Sequence, residues 1–237
     1  RSAECAWLIF FSVFVLALLI AITLTLFGWF HPALTSIAAF LLLGGFALAL
    51  FSLFRSKDWQ RLALLGGLAL ILMLRTEPTV FTGRDQGSIA LASWELAKNH
   101  ELTFQSSASQ AFFDIYSSGR ALNFPGFAYT DARALITQFP LGYIAFLALG
   151  IQWFGLSGLL IANATLFVFS GWTFFELITL YASRRNALFG TVLFATSFLP
   201  LWVAQMALTE NLALLLFLTL AVALVRLDRA ADGSWLS

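Results

Sequence analysis

"FPLGYIAFLALGIQWF", residues 139–154, decides how this chain is threaded. The run is apolar enough to enter a membrane, yet at about 16 residues it falls short of the ~20 that a helix needs to cross the hydrocarbon core. Counted as a span, it puts Arg184 and Arg185 on the opposite side from Arg55, Lys57 and Arg61. Left out, every short basic segment falls on one side: Arg1, then 55–61, then Arg184-Arg185, then Arg226 and Arg229. The excess of Lys and Arg on cytoplasmic loops selects the second count. The run is then expected to lie in the interface or to re-enter the side it left.

Outward from this run, six other stretches are long and apolar enough to cross: 6–30, 33–54, 62–81, 159–181, 187–205 and 211–225. His31-Pro32 makes a tight break between the first two, and the basic loop 55–61 precedes the third. Both ends then face the cytoplasm, while 82–157 and the turn 206–210 face outward. The fold expected is all-α: a polytopic transmembrane helical bundle with interfacial helices in its first long outer loop. Two parts are distinguished, a hairpin with its cytoplasmic loop (1–61) and a transmembrane domain that follows (62–237). Residues 6–30 are too long for the apolar region of a signal peptide, and no small-residue cleavage site follows them. Opening on Arg1 and stopping soon after an apolar segment, the chain reads as a piece of a longer protein.

Composition supports the membrane assignment. Hydrophobic residues make up 60% of the chain and charged residues 11%, with a mean hydropathy of +0.89. A soluble domain carries roughly 25% charge. The net charge of +1 leaves no basic stripe for phosphate neutralisation, which argues against a nucleic-acid partner. A single cysteine, Cys5, excludes an internal disulfide and a Cys/His metal cluster. The 26 Phe and 8 Trp suit lipid contact and interfacial anchoring.

Polar chemistry gathers in the outer segment. Asp85 stands just beyond the third span in "TGRDQGSIALASWELAKNHEL" (82–102), with Gly83 and Gly87 on either side. Ile89, Ala92 and Leu96 recur at helical spacing, and Glu95 and Lys98 are placed to pair one turn apart. An amphipathic helix in the interface fits this pattern. Asp114, Arg120, Asp131 and Arg133 follow, interleaved with Tyr116, Phe124, Phe127, Tyr129 and Phe139. Glu210 lies in the outer turn between the last two spans, on the face that carries Asp85. Both acids have an ordinary role open to them, since negative charge at a helix start caps or complements the free N–H groups there. Glu176 lies inside the fourth span, close enough to its cytoplasmic end to reach the interface. Asn163-Ala-Thr165 matches a glycosylation pattern but falls within a span. His31 and His100 read as lone interfacial histidines without ligand spacing.

Three pieces together resemble a known family: 82–102, "FPLGYIAFLALGIQWFGLSG" (139–158) and "FATSFLPLWVAQMALTENLALL" (194–215). Their order is similar to the N-terminal half of GT-C fold glycosyltransferases of the protein O-mannosyltransferase and aminoarabinose transferase type. The resemblance covers roughly residues 62–227, and the hairpin 6–54 is additional to the family's usual pattern. It implies transfer of a sugar from a polyprenyl-phosphate donor to a protein, lipid or glycan acceptor at the outer face of the cell membrane. It also implies Asp85 and Glu210 as the catalytic acidic pair, although the family often has Asp at the second position. Arg84, Arg120 and Arg133 would be the donor-phosphate partners, because a guanidinium binds phosphate through two donors. Some members of the fold hold a divalent metal with such carboxylates; others use the first as a base. The sequence leaves both open, so Asp85 and Glu210 are also the metal candidates. Two other classes compete: a transporter or flippase-like protein, and a non-catalytic membrane subunit. Charge-poor spans with acids collected at one face favour surface chemistry over a mid-membrane pathway.

Overall fold

The computed structural model describes residues 2–75, 85–116, 126–130 and 132–231. Among them are ten helices: α1 (Ser2–Leu26), α2 (Pro32–Arg55), α3 (Trp59–Arg75), α4 (Asp85–Asn99), α5 (Ser107–Tyr116), α6 (Leu141–Phe154), α7 (Ser157–Thr179), α8 (Arg184–Thr196), α9 (Phe198–Ala204) and α10 (Glu210–Ala231). Three short strands, β1 (Thr103–Phe104), β2 (Phe127–Tyr129) and β3 (Leu135–Thr137), form an antiparallel sheet in the order β1-β3-β2. The sheet was not expected in an all-α chain. Strands of two or three residues are too short to leave an alternating pattern in the sequence.

Four helices, α1, α2, α7 and α10, are long and apolar enough to cross a membrane. α8 and α9 make a fifth span if taken together, bent by 60° at Ser197. Pro200 explains the bend, because its ring has no N–H to give and clashes with the carbonyl four residues back, that of Thr196. The expected span at 62–81 is described as far as Arg75, and its apolar part Trp59–Leu72 is shorter than the other spans. The chain is thus a helical protein with the character of a multi-pass membrane protein.

Side-chain contacts define two ends of the bundle. At one, Trp7 of α1 donates to Thr173 of α7 (3.3 Å), and Arg61 of α3 reaches Glu176 of α7; this is called the basic end. At the other, called the loop end, the α1–α2 turn meets the C-terminal ends of α4 and α6, and the start of α6 lies between Ile22 of α1 and Leu212 near the start of α10. A membrane gives apolar helices little hydrophobic reason to associate, so close packing and interhelical hydrogen bonds must hold them. An aromatic cluster supplies much of that packing here. Phe10 lies 4.1 Å from Phe169, ring centre to ring centre, and Phe14 lies 5.7 Å from Phe146. The N-terminal hairpin is therefore built into the core through α1.

α6 does not run the length of the bundle. A Cβ on Gly142, near its start, would touch Ile22 near the end of α1 and Leu212 near the start of α10. At its far end, Gln152 accepts from the Thr35 hydroxyl (2.6 Å) and donates to the Phe30 carbonyl (3.3 Å). Both ends of α6 thus contact the α1–α2 hairpin near its turn, and at 14 residues the helix is shorter than the four long apolar ones. Its middle is deeply buried, with Ile144, Ala145, Leu147 and Ala148 inaccessible, so protein rather than lipid surrounds it. The turn into α7 needs two glycines in contact: a Cβ on Gly158 would lie 2.0 Å from the Gly150 carbonyl oxygen.

Candidate functional site

Asp85 and Glu210 each begin a helix at the loop end. Asp85 is the first residue of α4 and Glu210 the first of α10, and both are exposed. Each carboxylate therefore lies at the positive end of a helix dipole. The two helix starts are linked. The Gln86 amide donates to the Met206 sulfur at 2.8 Å, joining the first turn of α4 to the segment that leads into α10. Glu210 accepts from the Thr209 hydroxyl at 3.2 Å. Among the described residues, neither acid takes part in an ion pair.

The first turn of α4 is closed on its other side by the segment before α6. Gly126, at φ +80°, presses on it so tightly that a Cβ there would lie 2.4 Å from the Cβ of Ser88 and 2.8 Å from the Phe139 ring. α4 buries Ile89, Ala90, Ala92, Ser93 and Leu96, and it lies against α6. It is a packed element of the bundle. The expected Glu95–Lys98 pair does not form: Lys98 lies over the Trp94 ring at 4.6 Å, and Glu95 accepts from Asn99.

Beneath the two helix starts is a buried polar network with little signature in the local sequence. Tyr143 of α6 donates its hydroxyl to Asn163 Oδ1 of α7 (2.6 Å). Asn163 donates to the Met206 carbonyl (3.1 Å), and Asn211 donates to the carbonyls of Val203 (2.8 Å) and Met206 (3.1 Å). These carbonyls lie at the end of α9 and just beyond it, where a helix end leaves acceptors with capacity to spare. The network satisfies them and fixes the chain that carries Glu210. Asn163 is thus a buried structural amide. The surviving signal was an Asn inside each of two apolar helices, which is costly unless satisfied.

The arginines fare differently. Arg84 and Arg120 lie outside the described residues, as does Asp131. Arg133 sits in the β2–β3 turn at φ +61° and donates to Asp114 at 2.9 Å, with both side chains largely exposed (45% and 69%). An exposed pair of this kind contributes little, about 0–1 kcal/mol, and yields easily to a competing anion. As to a metal, no three His, Cys, Asp or Glu side chains among the described residues come close enough to hold an ion. Asp85 and Glu210 alone fall short of an all-protein metal site.

Glu176 does not reach the interface. It is 1% exposed and receives Arg61 through two bonds (Nε to Oε1 2.6 Å, Nη2 to Oε2 3.0 Å), Trp172 Nε1 (2.9 Å) and Arg226 Nη2 (3.4 Å). Asp58 extends the cluster by accepting from Arg61 and, at 3.4 Å, from Arg184. This basic-end cluster joins the α2–α3 loop, α7, α8 and α10. With its acids fully engaged by arginines it is an anchor rather than a reactive site.

Fold and site together define a helical membrane protein with two exposed acids at one end of its bundle. Comparison with protein-family models, with curated proteins and with solved structures finds no match.

Proposed function

We propose that the loop end is the active site of a GT-C-like glycosyltransferase, which moves a sugar from a polyprenyl-phosphate carrier to an acceptor at the outer membrane face. The observation that carries this reading is the linked pair of helix starts, where two exposed carboxylates, free of ion pairs among the described residues, stand at the same end of the bundle. Asp85 would act as the general base that takes the acceptor's proton, or as the group that orients it. Glu210 would supply the second carboxylate, and Arg133, released from Asp114, a phosphate contact.

A second feature supports a lipid-linked donor. An apolar cleft of about 750 Å³ runs between α2, α3, α6 and α7, walled by Phe46, Leu65, Leu72, Phe146, Trp153 and Val168. Its lining suits an isoprenoid chain, while a phosphosugar head would remain at the polar end.

The test uses the complete gene product that carries this chain, reconstituted in liposomes and supplied with a panel of polyprenyl-phosphate sugars and candidate acceptors. Sugar release or transfer is compared among wild type, Asp85→Asn and Glu210→Gln, with folding checked for each. Turnover that falls about 10²–10⁴-fold in Asp85→Asn supports the base. Turnover equal to wild type in that variant refutes it, and no turnover with any donor moves the transporter and subunit readings ahead.

A further inference from the structure

The chain has two histidines, and the fold brings them ring to ring. His31 and His100 lie with centroids 4.7 Å apart and planes at 63°. His31 immediately precedes α2, yet its imidazole makes no capping hydrogen bond. His100 follows α4 at φ +65°, a left-handed position that usually falls to Gly or Asn at a helix end. Its Nδ1 is buried, and no described protein group hydrogen-bonds it. A buried ring nitrogen left in this way calls for an explanation, and a bound ion or water is the usual one.

We propose that His31 and His100 form an open two-imidazole site for a borderline divalent transition-metal ion of the Zn²⁺ type. Two imidazoles bonded to one ion at about 2.0–2.1 Å have ring centres roughly 4.5–5.5 Å apart, depending on the angle at the metal. The observed 4.7 Å falls within that range. His31 is exposed, so its ring can turn to present a nitrogen without disturbing the core. Imidazole donors select Zn²⁺, Cu²⁺ or Ni²⁺ over Mg²⁺ or Ca²⁺. No third His, Cys, Asp or Glu among the described residues completes the shell, so water fills the remaining positions and the ion exchanges readily.

This site is separate from the candidate active site. His100 follows the last turn of α4 and Asp85 opens the first, about 21 Å away along the helix. The ion would staple the α1–α2 turn to the end of α4, tying the N-terminal hairpin to the loop segment. It takes no part in sugar transfer and does not depend on that reading.

The experiment uses the full chain in detergent, purified through a tag without histidines and stripped with EDTA. Zn²⁺ alone is titrated by calorimetry, and thermal unfolding is followed with and without it. One ion per chain is expected, with affinity falling about tenfold or more in His31→Gln and in His100→Asn alike. Zn²⁺ should raise the melting temperature of wild type but not of His31→Gln, while Mg²⁺ raises neither. His31 is exposed, so its variant should fold normally, and its metal-free melting temperature checks this. Absence of stoichiometric Zn²⁺ binding, or binding that either variant retains at full strength, overturns the proposal.

Discussion

The two ends of the bundle treat their acids in opposite ways. At the basic end, Glu176 is buried and Asp58 half-buried, and arginines from three helices engage them. At the loop end, Asp85 and Glu210 are exposed at helix starts, and no arginine among the described residues pairs with either. An acid inside a membrane helix is a functional candidate by default. The contrast shows when that default fails. Once two guanidinium groups and an indole N–H occupy every side of a carboxylate, it has no proton to take and no ligand to receive.

Removing the carboxylate charge at the basic end should have the largest effect. Glu176→Gln takes the shared counter-charge from the buried Arg61 and Arg226, leaving Arg61 with Asp58 alone, which costs about 3–5 kcal/mol. Thermal unfolding in detergent reads this directly. Arg226→Met added to Glu176→Gln should return part of the loss, because it removes a buried charge that has lost Glu176 and leaves the Arg61–Asp58 pair in place. A Glu176→Gln variant that melts with wild type would show that the cluster anchors nothing.

The polar network of the loop end comes next. Asn211→Ala removes one donor from each of the Val203 and Met206 carbonyls, which keep their other partners, so the cost is that of two net hydrogen bonds, about 1–3 kcal/mol in all. Amide hydrogen exchange should quicken around 203–212 while that of α1 and α2 is unchanged. Equal protection across both regions would mean that the network does not hold the start of α10.

A smaller effect at the basic end depends on pH. Burial pushes the Asp58 carboxyl upward, but Arg61, through its charge and two hydrogen bonds, and Arg184 outweigh it and hold the group below the usual carboxylate range. The stability Asp58 contributes is therefore fully present above the unfolded-state value and is lost as pH falls through the lowered folded value. The gap in melting temperature between wild type and Asp58→Asn should be constant near neutrality and close in acid. A gap that persists unchanged into strong acid would show that its charge is not what matters.

The legible parts of this molecule are those written in the length of apolar runs. The run 139–154 reads as shorter than a full span, and the helix it forms, Leu141–Phe154, is indeed shorter than the four long apolar helices, because length is counted directly in the sequence. The long apolar helices were visible for the same reason. What depended on pairing across the fold was not. Glu176 meets Arg61 and Arg226 only after α3, α7 and α10 pack, and His31 meets His100 only when α4 docks beside the α1–α2 turn. Both were assigned from their immediate neighbours in sequence, which is where a lone ionisable group looks solvated. The tight sheet at 103–137 was missed because its register is set by non-local contacts such as Phe127 with Thr137. Asp85 and Glu210 were the opposite case, since a helix start is a local event and the sequence around each one announced it.

The smallest effect on stability should come from the two acids of the loop end. Asp85→Asn and Glu210→Gln each forfeit only the interaction of an exposed carboxylate with a helix dipole, at most about 1 kcal/mol. If sugar transfer is the function, the same substitution at Asp85 costs about 10²–10⁴ in turnover. Stability and activity would then come apart at the loop end, whereas at the basic end they would fall together, since Glu176→Gln lowers activity only by unfolding the site. Asp85→Asn measured for both quantities in one preparation therefore distinguishes a group that holds the fold from one that the fold holds out for chemistry. A melting temperature that drops as far as that of Glu176→Gln would make Asp85 another anchor and remove the contrast between the two ends.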